Sequence, residues 1–143
     1  MNLYLDTSAI VTLYVRESSS RRALQVRRKA ERIATSMLAF PETLAAFGRM
    51  RREQDLGEGE HSSIVAAFAL DWATWHVMPV DRRLLSEVKR LLKSHALTGA
   101  DAVHLASAAF IHRRLSSTSG IVFACNDAQL REAAMADGLP VAW

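Results

Sequence analysis

Asn2-Leu3-Tyr4-Leu5-Asp6-Thr7-Ser8-Ala9-Ile10-Val11 sets the frame for the whole chain. Asn2–Leu5 is a short apolar run, the length of a small strand, and Asp6 follows it at once. Residues 7–15 then place Ile10, Leu13 and Tyr14 at helical spacing. Strand, acid, helix is the start of an α/β unit. In an open parallel sheet ligands bind beyond the carboxyl ends of the strands, which is where Asp6 would stand.

The same alternation continues outward. Residues 18–32 read as a very basic helix with Ala23, Leu24, Val26 and Ala30 as its apolar stripe, and residues 33–36 as a second strand. Residues 40–52 follow as a helix with Pro41 in its first turn and Phe40, Leu44 and Phe47 on one side. After Gly57 and Gly59, residues 61–75 space Ile64, Val65, Phe68, Trp72 and Trp75 as a helix face. Residues 76–80 are expected as a third strand, and Asp81 as the cap of a helix burying Leu84, Leu85, Val88, Leu91 and Leu92. An Ala-rich helix over 98–114, a strand over 121–125, a helix over 127–137 closed by Gly138, and a last short strand over 140–143 complete the series. Short strands alternating with helices imply parallel strands joined by helical crossovers. The expected architecture is a three-layer α/β/α sandwich around a short-stranded, mainly parallel sheet. No repeat, low-complexity tract or linker divides the chain, so residues 1–143 read as a single domain.

Composition removes several classes. The chain has 143 residues, 50% of them hydrophobic and 23% charged. A domain of this size buries about 68–70% of the surface its unfolded chain exposes, and such a composition is not that of a disordered chain. One cysteine, Cys125, allows neither an internal disulfide nor a cysteine zinc cluster, which points to a reducing cytoplasm. No apolar run approaches the ~18 residues of a membrane span, and Asp6 interrupts any signal-peptide core. The net charge is only +3, but ten Lys and Arg and three Glu lie between Arg16 and Arg52, while four acids and no base follow in residues 53–60. The basic run reads either as a solvated helix face or as the footprint of a polyanion.

Four acids carry the chemistry. Asp6 and Asp127 each follow a strand, while Glu42 and Asp101 each open a helix. Each has an ordinary structural use: Asp6 and Asp127 as helix N-caps, Glu42 as a first-turn charge, Asp101 as the acid of a capping box with Thr98. Gathered at one rim they repel one another unless a cation lies between them. Carboxylate-only ligation suits Mg²⁺ or Mn²⁺, which polarise a phosphoryl oxygen and acidify a bound water. Thr7 and Ser8 stand where their hydroxyls could reach such a site or merely serve the helix start. His104 shares a helix face with Asp101 as an orienting histidine, Arg49 lies about 10 Å along its helix from Glu42, and Cys125 is expected to pack. No P-loop, dinucleotide-binding glycine pattern, His-Glu-x-x-His or Gly-x-Ser-x-Gly occurs.

These residues resemble the PIN-domain ribonucleases, and within them the VapC-type toxins of toxin–antitoxin pairs. Leu3 to Val11 looks like that family's first strand with its aspartate and following hydroxyl, and Pro41-Glu42 like its glutamate. Ala100-Asp101-Ala102-Val103-His104-Leu105-Ala106 is similar to its second aspartate segment, and Phe123 to Leu130 resembles its last acidic block. Cys125 stands where many relatives carry Thr or Ser. The resemblance implies a Mg²⁺- or Mn²⁺-dependent endoribonuclease that acts on RNA as a toxin, forms homodimers and is inhibited by a cognate antitoxin protein. Asp6 and Asp101 would be the principal metal ligands, with Glu42 and Asp127 completing the site. Hydrolysis by an activated water would leave a 5′-phosphate and a 3′-hydroxyl, with arginines of residues 16–52 along the flanking backbone. Two rivals are a non-catalytic PIN-like module that binds RNA or an antitoxin, disfavoured by four intact acids, and another Mg²⁺-dependent phosphoryl enzyme. A haloacid-dehalogenase-type phosphatase needs an aspartate where Ser8 stands, and a receiver-like switch needs adjacent acids after its first strand.

Overall fold

The computed structural model describes residues 1–16, 20–115 and 120–143. Among these, four strands form one parallel sheet: β1 Asn2–Leu5, β2 Arg32–Ser36, β3 His76–Met78 and β4 Val122–Ala124, in the order β3-β2-β1-β4. The described helices are α1 Thr7–Tyr14, α2 Ser20–Lys29, α3 Ala39–Arg52, α4 Glu58–Trp72, α5 Leu85–Ser94, α6 Gly99–Leu115 and α7 Ala128–Ala136.

Side chains alternate across a strand, and here both faces are covered. Leu3, Leu5, Ile33 and Ala124 pack with Ile10 of α1, Ala23 of α2, Phe47 of α3 and Phe68 of α4. Tyr4, Ala34 and Phe123 point the other way, onto Leu91 of α5, Leu105 of α6 and Leu130 of α7. The result is the expected three-layer sandwich. From β1 the chain moves to β2 and β3 on one side, then returns to place β4 on the other. The carboxyl ends of β1 and β4 therefore flank the point where strand order reverses, the position at which open α/β sheets bind ligands.

Several expected boundaries shift for visible reasons. The basic helix, expected from Ser18, begins at Ser20 in the described part, and Ser18 lies outside the described residues. It stops at Lys29 rather than Arg32, because the Glu31 N–H bonds the Met1 carbonyl at 2.9 Å and turns Arg32 into β2. Leu24, expected inside, is exposed. The helix expected over 61–75 runs from Glu58 to Trp72, and Trp75 sits in the following turn with its ring still buried. β3 ends at Met78, before Pro79, which has no N–H to continue a ladder. Asp81 caps a 3₁₀ turn, Arg82–Leu84, that leads into α5. Leu84, Val88 and Leu91 face the core. Leu85 and Leu92 lie one residue, roughly 100°, further round and are exposed, contrary to expectation. Residues 140–143 make one bridge, Val141 to Phe123, not a strand. Gly138 closes α7 at φ +83°, the left-handed cap expected of it. Trp72 and Trp75 pack with Phe40 and Phe68 inside the protein's own aromatic cluster. Among the described residues no helix is long and apolar enough to cross a membrane.

Candidate active site

Asp6 leaves the buried end of β1 and its backbone N–H still bonds the Ala124 carbonyl of β4 at 3.1 Å. The side chain caps α1: Oδ1 accepts the Ala9 N–H at 2.7 Å, and the Ser8 hydroxyl lies 2.8 and 2.9 Å from the two carboxylate oxygens. Only 5% of Asp6 is exposed. Burial pushes its pKa up to about 6; the Ala9 N–H, His104 and Ser8 act against that, and the charge of Asp101 adds to it.

Glu42, on the first turn of α3, meets α1 and α6. Its Oε1 accepts the Thr7 hydroxyl at 2.7 Å and lies 2.8 Å from His104 Nε2. A carboxylate can only accept, so the network assigns the proton to Nε2 and leaves His104 Nδ1 facing the Tyr4 hydroxyl at 3.2 Å. Burial keeps the Tyr4 pKa well above its ordinary value, so that hydroxyl keeps its proton. Burial would also raise the Glu42 pKa, but the hydrogen bonds from His104 and Thr7 outweigh it and hold the carboxylate below its ordinary range. His104 is 2% exposed and orients Glu42, Tyr4 and Thr7, whose hydroxyl lies 3.2 Å from Nε2, as its place on the Asp101 face suggested.

Asp101 forms a reciprocal capping box with Thr98. The Thr98 hydroxyl donates to Oδ2 at 2.7 Å, and the Asp101 N–H donates back to that hydroxyl at 3.1 Å. Asp127 is exposed and caps α7, accepting the Leu130 N–H at 2.8 Å. The structural uses foreseen for all four acids are thus realised. Thr7 and His104 join to Glu42, the charges of His104 and Asp101 both act on Asp6, and Asp127 is the exposed cap of α7. Among the described residues no three carboxylate, imidazole or thiol groups already form a metal cage. The donor set nonetheless fits a hard divalent cation: it is all carboxylate oxygen, and its buried member bears an electrostatic penalty that a cation would relieve.

Sequence reading missed Tyr4, Asn126 and Trp143. Asn126 Oδ1 accepts the Trp143 indole N–H at 3.0 Å, its Nδ2 donates to Thr12 Oγ1 at 2.6 Å, and its backbone N–H donates to Ser8 Oγ at 2.8 Å. The only signals were the place of Asn126 just before Asp127 and the i, i+4 spacing of Ser8 and Thr12. Thr7 and Ser8 spend their hydroxyls on Glu42 and Asp6, so they position acids. Cys125 is fully buried, its thiol pushed up to about 12 by burial, and it donates to the Asp127 carbonyl at 3.4 Å. It packs, as expected. Arg49 is exposed two turns along α3 from Glu42. The basic run is divided: Arg22 reaches the Ala142 carbonyl, whereas Arg27 and Arg32 line a hollow with His76 at the amino ends of the strands, and Glu17 lies outside the described residues.

A parallel sheet with carboxylates at its switch point suits divalent-metal chemistry on a phosphoryl group. The chain belongs to the PIN domain family, whose model matches residues 3–135. Ribonuclease VapC45 of Mycobacterium tuberculosis is 34% identical over 140 residues, covering 98% of this chain and 94% of that protein, which places the chain among VapC-type members. The structure of FitAcB from Neisseria gonorrhoeae superposes with a TM-score of 0.69 at 15% identity, covering 99% of this chain and 96% of that one. A toxin–antitoxin complex from Klebsiella pneumoniae matches with a TM-score of 0.62 at 17% identity, covering 89% of this chain and 88% of the matched one. PIN-domain ribonucleases generally depend on a divalent metal.

Proposed function

We propose that this chain is a divalent-metal-dependent endoribonuclease, the toxin of a toxin–antitoxin pair, built as one PIN-like domain over residues 1–143. The observation that carries the reading is the buried Asp6 carboxylate at the β1/β4 switch point, repelled by Asp101 and adjoining a Glu42 that His104 and Thr7 keep charged. Asp6 and Asp101 would be the principal ligands of Mg²⁺, with Mn²⁺ as a substitute; Glu42 completes the acidic wall, and Asp127 flanks it. A divalent cation bound there polarises a phosphoryl oxygen and lowers the pKa of water. The protein's own groups supply the rest. Ser8 and the Ala9 N–H fix the Asp6 oxygens, His104 Nε2–H and Thr7 fix Glu42, and Tyr4 fixes the imidazole, so the carboxylates need little reorganisation when the charge of a transition state develops.

The relative named as a ribonuclease supports RNA as substrate, and the neighbour described as a toxin–antitoxin complex supports a cognate antitoxin as partner. The single cysteine supports a cytoplasmic site of action. A homodimer follows from the resemblance alone, and a monomer in sedimentation at micromolar concentration would remove it.

The experiment is cleavage of an RNA pool with Mg²⁺, with Mn²⁺ and with EDTA, by the parent, Asp6→Ala and Asp101→Asn. Cleavage that needs the metal, leaves 5′-phosphate ends and disappears in both variants is expected. Undiminished cleavage by either variant, once contaminating nuclease is excluded, overturns the site.

A further inference from the structure

Beside the acidic rim lies an open pocket of about 600 Å³, lined by Arg22, Asn126, Arg131, Met135 and Trp143 among others. Its two guanidinium groups come from distant parts of the chain, α2 and α7. Each is pinned by a backbone carbonyl: Arg22 Nη2 donates to Ala142 O at 2.9 Å, and Arg131 Nη1 donates to Cys125 O at 3.2 Å. Among the described residues, neither is paired with a carboxylate, in contrast to Arg51, Arg83, Arg90 and Arg113. A guanidinium has five N–H donors and one carbonyl occupies one of them. The remaining donors are therefore free for an oxyanion, and the pin has already restricted the side chain, which reduces the ordering cost of binding.

The pocket is tied to the carboxylates. Asn126 holds the Trp143 ring in its wall, and the Asn126 N–H bonds Ser8, whose hydroxyl bonds Asp6. Cys125 lies between the two, its carbonyl holding Arg131 and its thiol donating to the Asp127 carbonyl. Two cations thus line a pocket whose wall is two hydrogen bonds away from the carboxylate at the switch point, in a space large enough for a nucleotide.

We propose that this pocket is a substrate subsite that holds a backbone phosphate of single-stranded RNA next to the scissile one, with Arg22 and Arg131 as its ligands. The inference rests on the ribonuclease reading. It also extends the electrostatic footprint, because Arg131 lies outside the basic run that supplies Arg22.

The test measures binding of a short unstructured RNA by fluorescence anisotropy across a salt series, in an Asp6→Asn background that cannot cleave. Arg22→Ala and Arg131→Ala are each expected to weaken binding about fivefold and to lower the salt slope by about 0.7, the value of one lost single-strand phosphate contact. Arg131→Lys should restore the slope, which damage to α7 would not. Arg32→Ala, at the far end of the sheet, serves as the control. Unchanged slopes for both alanine variants, or an equal loss in Arg32→Ala, overturns the subsite. Binding and cleavage are read separately: slopes that fall in a protein whose parent cleaves no RNA support the subsite and sink the nuclease reading. Cleavage by a parent whose arginine variants bind normally does the reverse.

Discussion

At the carboxyl ends of the strands stand Asp6, Glu42, Asp101 and, at the margin, Asp127. At the amino ends Arg32 and Arg114 line one hollow with His76, and Arg27 and Arg32 line another. The chain direction produces this contrast. A strand that ends on Asp6 sends the crossover back to the start of β2, so the cations in the last turn of α2 arrive beside Met1 and not beside Asp6. A run of charge in the sequence is therefore not a surface. Parallel topology divides it, and the residues that share a rim are those that follow strands or open helices.

The largest effects should come from the carboxyl end, graded by burial. Asp6→Asn should reduce RNA cleavage roughly a thousandfold, the scale of several kcal/mol of lost transition-state stabilisation. Asp127→Asn should cost less than about tenfold, because its carboxylate is exposed and occupied by the Leu130 N–H, a cap that asparagine preserves. Rates of single-turnover cleavage at saturating Mg²⁺ rank the acids. Equal losses at both positions would place Asp127 at the centre and redraw the site.

The two ends were not equally legible in the sequence. Strand–acid–helix order is local, so the amino-acid pattern alone places Asp6 and Asp127 beyond strands, and the layers follow from the alternation of elements. The His104–Glu42–Thr7–Tyr4 network has no such local pattern, since it joins residues up to 100 apart whose meeting depends on how α3 and α6 pack. Helix faces are legible to within about one residue of rotation. That precision places Leu84, Val88 and Leu91 correctly and misplaces Leu85 and Leu92. The destination of the basic run depends on the path of the crossover, and Arg131 carries no pattern at all.

A smaller effect is expected from the residue that holds the acids in place. His104→Ala leaves Glu42 held by Thr7 alone and removes one partner of the buried Tyr4 hydroxyl, and loss of such a supporting hydrogen bond costs about 10–100-fold in metal affinity or activity. Manganese affinity, read by paramagnetic relaxation in the absence of RNA, should fall with activity. Unchanged affinity would make His104 a packing residue.

Stability should move in the opposite direction from activity. The folded pKa of Asp6, about 6, lies above its ordinary value of 3.8, so the folded state binds its proton more tightly than the unfolded chain. That contribution to stability is fully present below about pH 4 and is lost as pH rises through 6. Metal-free Asp6→Asn, which has no charge to bury, should therefore exceed the parent above pH 6 by about 2–3 kcal/mol, several degrees in Tm, with the gap closing toward pH 4. Added Mg²⁺ should raise the parent's Tm by mass action and leave the variant unmoved. A variant less stable than the parent at pH 8 without metal would show that hydrogen bonds to Asp6 outweigh its desolvation.

The smallest effect should come from the amino end. The four residues of β1 separate the two ends by about 13 Å, more than the ~8 Å screening length at physiological salt. Arg32→Ala combined with Arg114→Ala should therefore change KM for RNA by less than about twofold at 0.15 M salt. At about 0.01 M, where the screening length reaches ~30 Å, the two arginines act on the whole rim and KM should rise measurably in the double variant. A several-fold rise already at 0.15 M would mean that the RNA touches both ends of the sheet. The division between a catalytic carboxyl end and an idle amino end would then give way to one continuous track around the molecule.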